Sequence, residues 1–399
     1  MALDLTALRA HFPSLATGLA FFDGPGGTQT PTPVADAIAT TLTQPLSNRG
    51  NLGESDLNAE NAVREFRSAY ADLLNMPTNG IVHGRSATQL TYDFSRHLAK
   101  TWREGDEIIV SRLDHDANVR PWVQAAERAG VTVRWIEIDP ATTELDLDSY
   151  ELGLSSRTRL VAVTAASNVL GTKPPLRQIA DQAHASGALL YVDGVHFASH
   201  ELVDVPALGA DLFVCSPYKF LGPHCGVLAG DPELLESLSP DKLVPSPDNV
   251  PERFELGTLP YEILAGATAS VDFLAAMDPA AAGTRRERLT QSLEALHDHE
   301  MSLRARLQEG LDGFGDAITV HCKAPERTPT VLMSLAGRDA RDALTQLASR
   351  KVVAAAGSFY AYEPFRALKL EDPALRVGLA PYNTAEEVDR LLEGLGDFL

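Results

Sequence analysis

Residues 188–219 read ALLYVDGVHFASHELVDVPALGADLFVCSPYK. Two apolar runs, ALLYV and ADLFV, are each short enough for one strand and each ends in polar residues: Asp193 after the first, Ser216, Tyr218 and Lys219 after the second. Runs of this kind recur upstream as DEIIVSR, VTVRWIEI and RLVAVTAAS, separated by helix-like segments such as VRPWVQAAERAG and LRQIADQAHASG. Strand-length apolar runs alternating with helical segments predict βαβ units and a mainly parallel sheet, an α/β fold.

After PSPDNVPER, residues 245–253, the pattern changes to long helices, EILAGATASVDFLAAM and RRERLTQSLEALHDHEMSLRARLQEGL, and then to a smaller α+β portion. It ends in YNTAEEVDRLLEGLGDFL, where Thr384 and Glu387 form a capping box and Val388, Leu391, Leu392 and Leu395 an apolar stripe.

Bulk properties exclude several classes. With 399 residues, 44% of them hydrophobic, the chain can build one large and one smaller domain. A net charge of -20 disfavours nucleic acid and anionic membranes as partners. Cys215, Cys225 and Cys322 are the only cysteines and make no C-x-x-C pair, so neither a disulfide framework nor a cysteine metal site is expected. No apolar stretch reaches bilayer-spanning length and the first residues lack a basic-then-apolar pattern, so we expect a cytoplasmic protein.

In an open parallel sheet the ligand crevice lies beyond the carboxyl ends of the strands. Five stretches put polar groups there: GRSATQ (84–89), LDHDAN (113–118), SNVLGT (167–172), YVDGVH (191–196) and SPYK (216–219). A partly desolvated lysine at such a place has a lowered pKa and can form a Schiff base with a carbonyl; taken alone, Lys219 reads as a surface lysine in a turn, and its neighbours change that reading. Asp193 can hold a protonated ring nitrogen and so keep a ring as an electron sink, or can cap its own turn. Together the two point to pyridoxal phosphate chemistry. GRSATQ opens a helix and suits a phosphate, though Ser86 or Thr88 also serve as plain N-caps. Ser216 and Tyr218 are placed to donate to the same phosphate. His115 offers a flat ring for stacking on a cofactor, or is a turn histidine. Arg376, in ALRVGLAPYNT, has a fork suited to a substrate carboxylate, or lies on an edge strand at the surface. DGPGGTQTP (23–31) matches no phosphate-loop template and reads as a tight turn near the site.

On these motifs the chain resembles the class V branch of fold type I pyridoxal phosphate enzymes, which contains cysteine desulfurases, selenocysteine lyases and isopenicillin N epimerases. The resemblance runs from LRAHFPSL to YNTAEEVDRLL. It implies a large domain with a mainly parallel, seven-stranded sheet flanked by helices and a smaller α+β C-terminal domain. We divide the chain into residues 1–20, packing with the small domain, 21–260, the cofactor-binding domain, and 261–399, the small domain.

By resemblance, Lys219 bonds the cofactor, Asp193 partners its ring nitrogen and His115 stacks on its face. Asn168 contacts the ring oxygen or the substrate, and His196 stands where desulfurases usually carry a glutamine. Ala87, Thr88, Ser216 and Tyr218 match the phosphate cup, Tyr218 replacing a more usual histidine. Gly257 and Thr258 match a segment reaching the phosphate of a neighbouring subunit, which implies a homodimer with shared sites. Arg376 matches the arginine that binds the substrate α-carboxylate. Where desulfurases place a nucleophilic loop cysteine, this chain reads Gly357-Ser358-Phe359-Tyr360.

The resulting expectation is a lyase of cysteine desulfurase type acting on a β-substituted amino acid without a loop cysteine, with Tyr360 and Tyr362 as candidate acids or bases and Tyr360 beside the substrate. Transamination or epimerisation at the α-carbon is the alternative, and a cofactor-bearing binding protein the remote one.

Overall fold

Residues that alternate along each strand bury themselves on opposite faces of one sheet. The computed structural model describes residues 3–399. Its strands are β1 (Ala20–Phe21), β2 (Ile81–Gly84), β3 (Glu107–Ser111), β4 (Thr132–Ile136), β5 (Thr158–Thr164), β6 (Leu189–Asp193), β7 (Leu212–Cys215), β8 (Gly226–Gly230), β9 (Ile318–Val320), β10 (Thr330–Leu335), β11 (Val352–Val353), β12 (Ala355–Gly357) and β13 (Ala374–Gly378). Seven of them form one sheet in the order β2-β8-β7-β6-β5-β3-β4. Only β8 runs against its neighbours; every other pairing is parallel.

Ile109, Val161, Val163, Leu190, Val192 and Phe213 point into one core, shared with helices Glu54–Leu74, Leu176–Ala185 and Tyr261–Ala275. Their neighbours Ile108, Val110, Leu160, Ala162, Tyr191 and Val214 point into a second core under helices Ala87–Ala99 and Arg120–Ala129. Both faces are therefore dry, which is why the strands read as continuous apolar runs rather than as alternation.

Local signals fix where the covering helices begin and end. Ser86 caps helix Ala87–Ala99, its Oγ accepting from Gln89 N at 3.1 Å. Gly130 ends helix Arg120–Ala129 with a left-handed φ of 68°. The strand order reverses between β3 and β5, because β4 lies on one side of β3 and β5 on the other. A crevice opens at such a reversal, and His115 and Asn168 follow these two strands.

A second, antiparallel sheet has the order β12-β13-β10-β9. Val331, Met333, Leu375 and Val377 from it pack with Leu347, Val388, Leu391 and Leu395 from helices Ala340–Ser349 and Ala385–Phe398. The Thr384–Glu387 capping box forms. Ala20 and Phe22 join this core, while Leu8, Phe12 and Leu15 join the large one. Helix Tyr261–Ala275 packs wholly in the large core through Leu264, Ala267, Val271 and Leu274. Helix Arg285–Asp312 serves both: Leu289, Leu293 and Leu296 lie in the large core, Leu303, Leu307 and Leu311 in the small one.

Cys322 lies just beyond β9. It is buried, and its sulfur accepts from Leu332 N at 3.2 Å. Among the described residues no helix is long and apolar enough to cross a membrane.

Candidate active site

Asp193 ends β6 and Ser216 follows the adjacent parallel strand β7, so the two turns open at the same sheet edge. The chain turns through Pro217–Lys219 and Gly222 before returning as β8, and this hairpin carries Lys219. β8 in turn pairs with β2, whose end feeds Ser86 and helix Ala87–Ala99. Gly226 at the start of β8 is required there, because an added Cβ would strike the Ser86–Ala87 peptide.

These turns enclose an inner chamber of about 80 Å³. Ala87, Thr88, His115, Asn168, Asp193, His196, Ser216, Tyr218 and Lys219 all line it, and so does Ser86. An outer vestibule of about 570 Å³ shares Thr88, His115, Asn168, Tyr218 and Lys219 and adds Arg376, Tyr360, Phe359 and Pro25. Gly257 and Thr258 are exposed and line neither space. Among the described residues no cysteine lines either; all three are buried elsewhere.

Lys219 is 7% exposed, and Nζ donates to the Pro25 carbonyl at 2.6 Å. Burial, and then the charge of Arg376, lower its pKa to about 8, with Asp193 opposing. Burial raises Asp193 to about 6, held back by the Val195 N–H on Oδ1 at 2.9 Å and by Lys219. Its carboxyl is therefore mostly ionised at neutral pH.

Burial, with the charges of Lys219 and Arg376, lowers His115 to about 3. The ring is thus neutral. Nδ1 accepts from Ala117 N at 3.0 Å, leaving the proton on Nε2.

Arg376 lies on β13, an interior strand between β12 and β10, and not on an edge. Its Nη1 donates to the Asn168 carbonyl at 3.0 Å, its guanidinium lies 3.9 Å from the Phe359 ring centroid, and its Nε is buried without a partner. Burial lowers its pKa to about 10, so it stays a cation.

Asn168 Nδ2 donates to the Phe359 carbonyl at 3.0 Å while Oδ1 is buried and unpartnered. His196 Nε2 meets the Thr328 and Thr330 hydroxyls at 2.9 and 3.0 Å; Nδ1 has no partner. Both residues line the chamber, so each presents unsatisfied hydrogen-bonding capacity where a polar ligand would sit.

Three features were not singled out from sequence. The Pro25 carbonyl is one; the glycine-rich turn had drawn notice, but nothing in it marked a lysine partner. Phe359 under Arg376 is another. The third is Asp114, inside the LDHDAN stretch and next to His115. Its Oδ1 accepts from Asn118 Nδ2 at 2.7 Å, Ser111 Oγ donates to Oδ2, and Asn118 Oδ1 in turn accepts from Trp122 Nε1 at 2.9 Å. Burial raises its pKa to about 8, with the Asp193 charge adding to the rise. It is mainly protonated at neutral pH.

The description of the aminotransferase class-V family matches residues 20–391. A probable cysteine desulfurase of Vibrio cholerae is 31% identical over 422 residues, covering 99% of this chain and 98% of that protein. An aminotransferase-like protein of Gibberella zeae is 31% identical over 413 residues, covering 99% and 98%. Among solved structures, the cysteine desulfurase CsdA of Escherichia coli superposes with a TM-score of 0.86 at 25% identity, covering 100% of this chain and 98% of that one.

Proposed function

The chain belongs to the class V aminotransferase family, whose members are pyridoxal phosphate-dependent enzymes, and on that footing we propose that it binds pyridoxal 5'-phosphate and acts on an amino acid as a cysteine desulfurase-like C–S lyase of β-elimination type. The observation that carries this reading is the chamber itself: Lys219 and Asp193 share it, and no thiol lines it.

The residues present fit the cofactor. The unpartnered Asn168 Oδ1 and His196 Nδ1 suit polar groups on a ring, and the helix start at Ser86-Ala87-Thr88, with Ser216 and Tyr218, suits a phosphate. When bound, the cofactor supplies an aldehyde for an amine and a ring that accepts electrons from the substrate α-carbon.

Lys219 Nζ, with a pKa near 8, has a free-amine fraction at neutral pH; it would hold the cofactor through its aldehyde and would serve as the base placed to take the substrate α-proton. Asp193 would keep a proton on a cofactor ring nitrogen, and His115, neutral, would offer a flat ring to the cofactor without adding charge. Arg376 takes the substrate carboxylate with the Nε that is otherwise unpaired. Tyr360 and Phe359 wall the vestibule beside the substrate.

Gly257 and Thr258, exposed in one protomer, reach the phosphate of a second in a cytoplasmic homodimer. The large domain extends past residue 260, because helix Tyr261–Ala275 and the first half of helix Arg285–Asp312 pack in its core; the rest of that helix and the residues after it build the small domain, and residues 3–20 contribute to both cores.

The test is to follow the visible absorption of purified protein while adding L-cysteine and other amino acids, with sulfide, alanine and pyruvate assayed together. Pyruvate with sulfide supports β-elimination. Alanine with sulfide replaces it by desulfuration, an amine form of the cofactor without sulfide by transamination, and an undisturbed spectrum across the panel by a binding role.

A further inference from the structure

A third, much smaller space lies against Lys219. About 10 Å³ in volume, it is walled by Gly24, Thr28, Ser199, His200, Lys219 and Phe220 among others. That is close to the least volume that admits one water molecule, provided polar atoms face it. Ser199 and His200 both line it, and the Ser199 Oγ is buried with no partner in the protein.

His200 leads away from this space into the seam between the two cores. Its Nδ1 lies 2.7 Å from Glu300 Oε2, and the glutamate is fully buried with Oε1 unpartnered. Glu300 stands on helix Arg285–Asp312 between Leu296, in the large core, and Leu303, in the small one. A leucine there would pack without a desolvated charge, so a carboxyl at this place answers to something other than packing. The His200 ring also meets His196 edge-on, 5.0 Å between centroids.

We propose that one water bridges Ser199 Oγ and His200 beside Lys219, and that the buried His200–Glu300 pair exchanges protons with the Lys219 amine through it. This rests on Lys219 being the cofactor-bearing residue. The transfer balances simply. A proton leaves Nζ for the water, the water gives one to His200 Nε2, and Glu300 holds the Nδ1 proton and stabilises the imidazolium; no electrons move. The groups that also bear on this titration are Asp193, Arg376 and His115 around Lys219, His196 beside His200, and Tyr382 near Glu300. Ser199, His200 and Glu300 are positioning residues, none of them touching substrate.

The experiment uses holoenzyme carrying Glu300→Gln, with the pH titration of the visible cofactor band as readout. Removing the carboxylate disfavours the protonated form, so the midpoint should fall by about half a pH unit or more. Turnover should fall about tenfold with KM within about twofold of wild type. A folded variant with an unmoved midpoint and unchanged turnover overturns the proposal. If Glu300→Gln does not fold, Ser199→Ala deletes only the hydroxyl, and an unchanged midpoint and turnover in that variant overturn it equally. So does a high-resolution crystal structure with no ordered water at Ser199 Oγ. Failure of the underlying reading looks different: the cofactor would remain bound covalently in Lys219→Ala.

Discussion

Asp193 ends β6, and Lys219, His115 and Asn168 stand on short turns after β7, β3 and β5, whereas Phe359 and Tyr360, which wall the vestibule opposite them, stand in a loop after β12 with left-handed φ of 56° and 54°. The first group is placed by strands buried on both faces. The second is held by a few directed contacts: Asn168 Nδ2 and Asp116 N on the Phe359 and Tyr360 carbonyls, at 3.0 and 2.8 Å, and Arg376 over the Phe359 ring. Tyr360 is 78% exposed. Left-handed backbone at non-glycine residues costs roughly 1–2 kcal/mol each, and packing does little to compensate at Tyr360. On the proposed reading, the chemistry falls to the strand ends and selectivity to the loop.

Lys219→Ala tests that division hardest. It should lower turnover with L-cysteine by at least about a thousandfold while leaving the folded protein at least as stable, since a desolvated amine is removed. Activity within about tenfold of wild type would falsify the assignment of the chemistry to the chamber floor.

Arg376→Lys comes next, because Arg376 touches both regions. Losing the planar fork and the stack on Phe359 should cut kcat/KM by about 10- to 100-fold, mostly through KM. An effect confined to kcat would move the arginine from substrate binding to the chemistry.

Asp114→Asn probes the floor's electrostatics. A carboxyl whose folded pKa is raised from 3.8 to about 8 stabilises the fold below its unfolded pKa, and that contribution is lost as pH rises through the folded value. The stability of wild type relative to the variant should therefore decline between about pH 4 and pH 8, by up to about 5 kcal/mol, in urea unfolding. A flat difference would mean that Asp114 is ionised throughout.

Tyr360→Gly is the mildest change. Relief of the left-handed backbone outweighs the extra entropy of glycine by no more than about 1 kcal/mol, so the thermal midpoint should rise slightly and kcat/KM should stay within about threefold. A tenfold loss of kcat would give the loop a share in the chemistry.

Much of the floor was legible in the sequence, because strand-length runs such as ALLYVD and ADLFVCS end in the polar groups they present. The ends of these runs therefore located Asp193 and Lys219, and adjacency of β6 and β7 brought them together. The wall was not legible in this way. Nothing in GSFY announces two left-handed residues, since their conformation is imposed by partners at Asn168 and Asp116, far off in sequence. The same holds for the Pro25 carbonyl on Lys219 and for Glu300 against His200. Each pairs groups at least 100 residues apart.

The helix Arg285–Asp312 has a consequence for how the molecule can deform. Because one continuous rod is embedded at its first half in one core and at its second half in the other, the smaller lobe cannot pivot freely about a linker there; any opening of the vestibule must flex or roll that rod. Glu300 sits at its fulcrum. The His200–Glu300 contact therefore lies at the one segment of that rod where the two cores meet.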